Sequence, residues 1–159
     1  MTARRLAPIA IAAAAAAFVA ILGSTVTDLG PWYQGLAKPS WQPPDPAFGL
    51  IWTIVFTLTA ASGVIAWRHA PAGRARETLI GAFALNGFLN VLWSLLFFRL
   101  RRPDWALWEI VPFLLSIAAL IVLTGRYRPL AGVLLVPYLV WVSIAAALNV
   151  EIVRLNGPF

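Results

Sequence analysis

Five stretches of nearly continuous apolar residues, at 6–27, 47–67, 78–98, 105–124 and 129–150, divide the chain. Each approaches or reaches the roughly 20 residues a helix needs to cross about 30 Å of bilayer hydrocarbon. Because the apolar positions run on rather than alternate, the pattern predicts membrane helices and disfavours a β-barrel. The second, third and fifth stretches carry no charged side chain, and the fourth carries Glu109 in its first turns. After Trp67 the connections are short, and 68–74 and 99–104 have the proline, charge and polar character of water-exposed turns. Short connections make successive spans antiparallel neighbours, so the chain reads as a single all-α membrane domain, a five-transmembrane-helix bundle over residues 1–159.

The first stretch has a competing reading. Arg4 and Arg5, an alanine-rich apolar run and small residues at 20–24 also describe a secretory signal peptide. The run extends about 18 residues before Ser24, longer than the usual 7–15-residue apolar core of such a leader, which favours a retained span. With five spans, Arg4, Arg5, Arg68, Arg74, Arg76, Arg126 and Arg128 share one side of the membrane, and Lys38, Arg99, Arg101, Arg102 and Arg154 the other. That excess of seven over five leans toward a cytoplasmic N-terminus.

Composition narrows the chemistry. The chain is 61% hydrophobic and 11% charged, against roughly 25% charged residues in a soluble domain. A net charge of +6 raises the question of nucleic acid, but the arginines cluster beside apolar stretches as membrane-flanking charge does, so no nucleic-acid partner is expected. With no cysteine and one histidine, His69, disulfides, thiolate clusters, paired-histidine metal sites and cysteine nucleophiles are excluded, and no metal is expected. His69 lies in a turn and reads as solvated. No serine–histidine–aspartate set, glycine-rich phosphate cradle or carboxylate pair appears, so hydrolytic and phosphoryl-transfer chemistry lacks its groups.

What the chain offers instead is rings. Within the connection at 28–46, the stretch 32–44 contains Trp32, Tyr33, Trp41 and three prolines, Pro39, Pro43 and Pro44. Prolines remove backbone freedom and tryptophans present large flat faces, so this segment reads as a stiff aromatic lid. In the third span Asn86, Asn90 and Trp93 share one helical face. The two asparagines read either as interhelical glue or as donors to a ligand lying on Trp93. In the fifth span Trp141 is followed by Ala145, Ala146, Ala147 and Asn149, a face that suits helix contact or a cavity wall. Trp105 and Trp108, beside arginines at a helix start, read as interfacial anchors. Glu109 and Glu151 are expected within reach of headgroups or arginine, Glu151 through Arg154 at i+3.

These residues carry a resemblance. Trp32-Tyr33, Lys38-Pro39, Trp41-Gln42-Pro43-Pro44, Ile51-Trp52-Thr53, Ala84-Leu85-Asn86 through Asn90, Trp93 and Phe97-Phe98, then Val136 to Trp141 and Ala147-Leu148-Asn149, together resemble the TspO/translocator protein family, the tryptophan-rich sensory proteins or peripheral-type benzodiazepine receptors. The resemblance implies a five-helix bundle, often a homodimer, with a pocket beneath the first loop that takes porphyrins and benzodiazepine-site ligands. By motif position it implies a pocket lined by Trp52, Asn86, Asn90, Trp93, Trp141 and Ala145 beneath a lid of Trp32, Tyr33 and Pro44. Trp52 and Trp141 look like the tryptophans linked to tetrapyrrole binding and to light-dependent porphyrin degradation. The family's sterol motif places an aromatic after the Leu-Asn pair. Here Leu148-Asn149 is followed by Val150, which puts sterol binding at that site in doubt.

The expectation is a multi-pass protein of the bacterial cell membrane that receives or senses a tetrapyrrole such as protoporphyrin IX as ligand, with no resident cofactor. The other readings are a light-dependent porphyrin-degrading enzyme, with Trp52 and Trp141 as its candidate catalytic residues, and a porphyrin or lipid transporter.

Overall fold

The computed structural model describes residues 2–159, with side chains from Leu6 onward; Arg4 and Arg5 of the charge count therefore lie outside the described side chains. The helices are α1 (Thr2–Val26), α2 (Pro31–Gly35), α3 (Asp45–His69), α4 (Arg74–Ser94), α5 (Pro103–Tyr127), α6 (Pro129–Val133) and α7 (Val136–Asn156), with a π-helical turn, Leu95–Arg99, continuing α4. Among the described residues there is no strand, and five helical segments are long and apolar enough to cross a membrane: Leu6–Val26, Asp45–His69, Arg74–Arg99, Pro103–Tyr127 and Pro129–Asn156.

α5 is the hub and packs on α3, α4, α6 and α7, while α1 lies against α3 and α4. The inward face of α5 carries Ala106, Glu109, Ile110, Phe113, Ile117, Leu120 and Thr124, all buried at helical spacing. The opposite face presents Trp108, Leu115 and Val122, which are exposed, as lipid-facing side chains are. α1 approaches α4 closely because Gly87 has no side chain: a Cβ there would stand 3.0 Å from Val19.

Two segments depart from the sequence reading. The 28–46 connection is not wholly irregular: Pro31, whose missing N–H costs nothing at a helix start, opens the single turn α2. The fifth span is interrupted at Leu134 and Leu135. Pro137 cannot donate to the Val133 carbonyl and its ring crowds it, so α6 ends and α7 begins with Pro137 in its first turn.

α5 and α6 are joined by Arg128 alone, and this hairpin is tight. A Cβ on Gly132 would fall 2.7 Å from the Ile121 carbonyl oxygen and 3.1 Å from the Gly125 Cα. Ser62 donates a buried 2.7 Å hydrogen bond to the Ala131 carbonyl, tying α3 to the same place.

Candidate functional site

At the other end of the bundle, α2 lays two rings over the helices. Tyr33 is buried, 5.4 Å from the Phe98 ring, and Trp32 meets Phe97 edge-on at 6.3 Å. Lys38 Nζ lies 4.3 Å from the Tyr33 ring centre and the Arg101 guanidinium 5.9 Å from that of Trp32, cation–π contacts at the outer surface. Gln42 Nε2 donates a long bond to the Tyr33 hydroxyl at 3.4 Å. Burial pushes that hydroxyl above its ordinary pKa; the Asp45 charge adds to the rise and the Gln42 bond opposes it. Asn156, at the end of α7, clasps the segment: its Oδ1 accepts from Ala37 N at 2.7 Å and its Nδ2 donates to Ala37 O at 2.9 Å.

The π-helical turn supplies the layer below. One extra residue in the turn lets Phe97 and Phe98, adjacent in sequence, both pack on Trp93, at 5.2 and 6.0 Å. Such single π turns recur at functional sites. Deeper, a second aromatic group joins α3, α5 and α7. Trp52 meets Trp141 edge-on at 6.4 Å and Tyr138 at 6.1 Å, Phe48 meets Trp141 at 5.4 Å, and Phe113 meets Tyr138 at 5.9 Å. Trp93 packs against both groups.

A cavity of about 40 Å³ lies where the two groups meet. Its roof is Tyr33 and Gln42. Phe48 from α3, Trp93 from α4 and Phe97 and Phe98 from the π turn form one wall, and Ala145, Leu148, Asn149 and Ile152 form the α7 wall. The α7 residues fall at 0, 3, 4 and 7, one face of one helix. Ala145 provides the space a larger side chain would fill.

Of the residues singled out in the sequence, Tyr33, Trp93, Ala145 and Asn149 line the cavity, together with Gln42, Phe97, Phe98 and Leu148 of the quoted motifs. Trp32 stands above it, and Pro44 sits at the start of α3. Trp52 and Trp141 form the aromatic layer behind its walls. Asn86 and Asn90 are engaged elsewhere: Asn86 Nδ2 donates to Ser116 Oγ at 2.8 Å, and Asn90 Nδ2 to the Tyr138 hydroxyl at 3.2 Å. Each ties α4 to a neighbouring helix, as amides in a bilayer do. Phe48 and Ile152 line the cavity without having been singled out; the i+7 spacing from Ala145 was the available signal for Ile152.

Several buried polar groups have no hydrogen-bond partner among the described residues: the indole N–H groups of Trp93 and Trp141, both amide atoms of Asn149, and both carboxylate oxygens of Glu109. Glu109 was expected near arginine or headgroups, but it is 8% exposed and turned into the bundle between Ala106 and Phe113. Glu151 does pair with Arg154, at 2.7 Å. His69 caps its own helix through a 2.8 Å contact with Ile65 O, and Trp105 lies under the Arg102 guanidinium at 4.1 Å. Among the described residues no three metal-ligating side chains come together.

Five membrane-length helices, with a small aromatic cavity roofed by the segment between the first two spans, define a multi-pass integral membrane protein. Residues 9–155 match the model of the TspO/MBR family, and the chain belongs to that family. It is 38% identical over 144 residues to the tryptophan-rich protein TspO of Chlorobaculum tepidum, covering 87% of this chain and 89% of that one. It is 36% identical to the translocator protein of Sus scrofa, over 79% of this chain and 75% of that one. It is 34% identical to the tryptophan-rich sensory protein of Cereibacter sphaeroides, over 79% and 77%.

Proposed function

We propose that the chain is a membrane receptor or sensor whose ligands are flat and largely apolar, tetrapyrroles such as protoporphyrin IX and benzodiazepine-site compounds, bound beneath the α2 segment. We further propose that it acts as a homodimer in a bacterial cell membrane. The observation that carries the reading is the ring-walled cavity under an aromatic roof. The sensory and translocator names of its relatives point the same way.

At about 40 Å³ the cavity holds one or two waters, each with a share of roughly 30 Å³. Ligand pockets run to about 300–1,000 Å³. Entry of a tetrapyrrole therefore requires the roof to lift and the Phe97–Phe98 layer to separate from α7, which makes the α2 segment a gate. Binding then draws on apolar burial: several hundred Å² at about 25 cal/mol per Å² amounts to on the order of 10 kcal/mol before ordering costs. Stacking on Trp93, with Trp52 and Trp141 behind, selects for flat rings.

Nothing along these walls can do acid–base or nucleophilic work unaided. A second reading, light-dependent breakdown of the bound porphyrin, is favoured by one contact, the edge-on Trp52–Trp141 pair beside the cavity. Titration of the purified protein with protoporphyrin IX, followed by tryptophan quenching, tests both. Trp52→Phe with Trp141→Phe should weaken binding about tenfold or more, and under illumination should remove any new bilin-like product. Undiminished quenching in the double variant would count against the pocket assignment.

A further inference from the structure

Three asparagines face the interior of the bundle from α4 and α7, and they differ in one respect. Asn86 and Asn90 spend their amide N–H groups on Ser116 and Tyr138. Asn149 is 1% exposed, sits in the cavity wall, and has neither Oδ1 nor Nδ2 paired among the described residues. A neutral amide buried with both ends unpaired keeps its desolvation penalty with nothing to offset it, so as a packing element it is a net loss. In the other wall the Trp93 indole N–H is also unpaired. Every other side chain that contacts the cavity from the spans is hydrocarbon.

We infer that Asn149, assisted by Trp93, is the polar-recognition point of the cavity, and that it selects ligands carrying a carboxyl or amide group on the edge that reaches α7. This rests on the tetrapyrrole reading above and specifies its orientation. The amide offers two N–H donors and one acceptor oxygen, and the indole one more donor, a set that complements a carboxyl group and not a methyl or vinyl substituent. Asn149 lies on the cavity face of α7 between Ala145 and Ile152, and Ile152 packs with Tyr33 of the roof. A carboxyl held there is at the roof end of the site, close to water. The propionate edge of protoporphyrin would point toward α2, with the apolar edge toward Phe48. Asn86 and Asn90 then hold the walls in place.

The test compares protoporphyrin IX with etioporphyrin, whose edge carries only alkyl groups, binding to full-length wild type and to Asn149→Leu, a nearly isosteric change. Wild type should prefer the diacid. Asn149→Leu should lose about tenfold in affinity for the diacid, the worth of about one hydrogen bond to an otherwise unpaired group, and change less than twofold for etioporphyrin. Its thermal midpoint should equal or exceed that of wild type, since an unpaired amide has been removed. Equal losses for both ligands, no loss for either, or a variant that melts lower or does not fold would each overturn the assignment. Wild type that binds neither compound would overturn the tetrapyrrole reading itself, a result distinguishable from any of these.

Discussion

The two ends of this bundle are built on opposite rules. Where α3, the start of α4 and the α5–α6 hairpin meet, most of the buried side chains are small, with Leu79 the large one among them. Ala66, Ala70 and Ala131 are buried, Gly125 and Gly132 bring backbones into contact, and the Ser62 hydroxyl is hydrogen-bonded. At the α2 end the residues are large. Tyr33, Phe97, Phe98 and Trp93 crowd together, yet a cavity persists and buried indole, amide and carboxyl groups stay unpaired. Flat rings meeting edge-on cannot fill space as closely as alanine and glycine on facing helices, and in lipid close backbone approach is itself the main source of helix association. The small-residue end holds the fold, and the aromatic end leaves room and unused hydrogen-bonding capacity for something else. Departures from full polar satisfaction concentrate where a protein binds or reacts.

The largest effect should come from spoiling the tight end. Gly132→Val places a branched side chain where the first carbon alone would meet the Ile121 carbonyl and the Gly125 backbone, neither of which can swing away as a side chain could. Overpacking typically costs 1–3 kcal/mol, and a clash against backbone belongs at or above the top of that range. The variant should fail to give a cooperative melt in detergent or should melt many degrees lower. A wild-type midpoint would mean the α5–α6 hairpin is looser than its geometry.

The opposite sign is expected at the aromatic end. Glu109 is buried between Ala106 and Phe113 with neither oxygen paired, so Glu109→Leu exchanges an unsatisfied group for one suited to its surroundings. A gain of about 1–3 kcal/mol follows, read as a higher thermal midpoint. A loss of stability would show that the carboxyl has a structural partner, and would remove it from the unused polar groups that set this end apart.

How much of this the sequence discloses depends on the range over which each feature is determined. The spans are legible because bilayer thickness imposes about 20 apolar residues on each, a constraint that acts within one helix. The break in the fifth span has a local cause in Pro137, but an apolar run of span length masks it. α2 is only five residues, too short for helical periodicity, and Pro31 is its sole signal. The π turn has no residue signature; it shows only when Phe97 and Phe98 are found on the same side. Asn86, Asn90 and Trp93 could be placed on one face from spacing alone. Whether the amides are spent or free depends on Ser116 and Tyr138, 30 and 48 residues further along, which no reading of α4 supplies. Asn149 is the converse case, since its distinguishing feature is a partner that is missing.

The smallest effect on stability should accompany the sharpest effect on the gate. Asn156 holds Ala37 by two hydrogen bonds at an exposed position, across 119 residues of sequence. In water-accessible surroundings such bonds contribute about 1 kcal/mol or less each, because solvent replaces them when they break. Asn156→Ala should therefore leave the thermal midpoint nearly unchanged, since neither the α5–α6 hairpin nor the ring clusters depend on it. The roof is different, because outside its ring contacts and the Arg101–Trp32 contact it has few other ties to the bundle, the Gln42–Tyr33 bond lying within the roof itself. Amide hydrogen exchange across 31–44 should accelerate several-fold in the variant while exchange in α5 stays as it was, the signature of local rather than global opening. If ligand entry is limited by this opening, association and dissociation should both quicken and affinity change little, because the clasp is broken in the open state of either protein. Unaltered exchange across 31–44 would place the restraint on the roof in its rings, and Trp32→Ala, which removes the Phe97 contact, would become the variant that frees it.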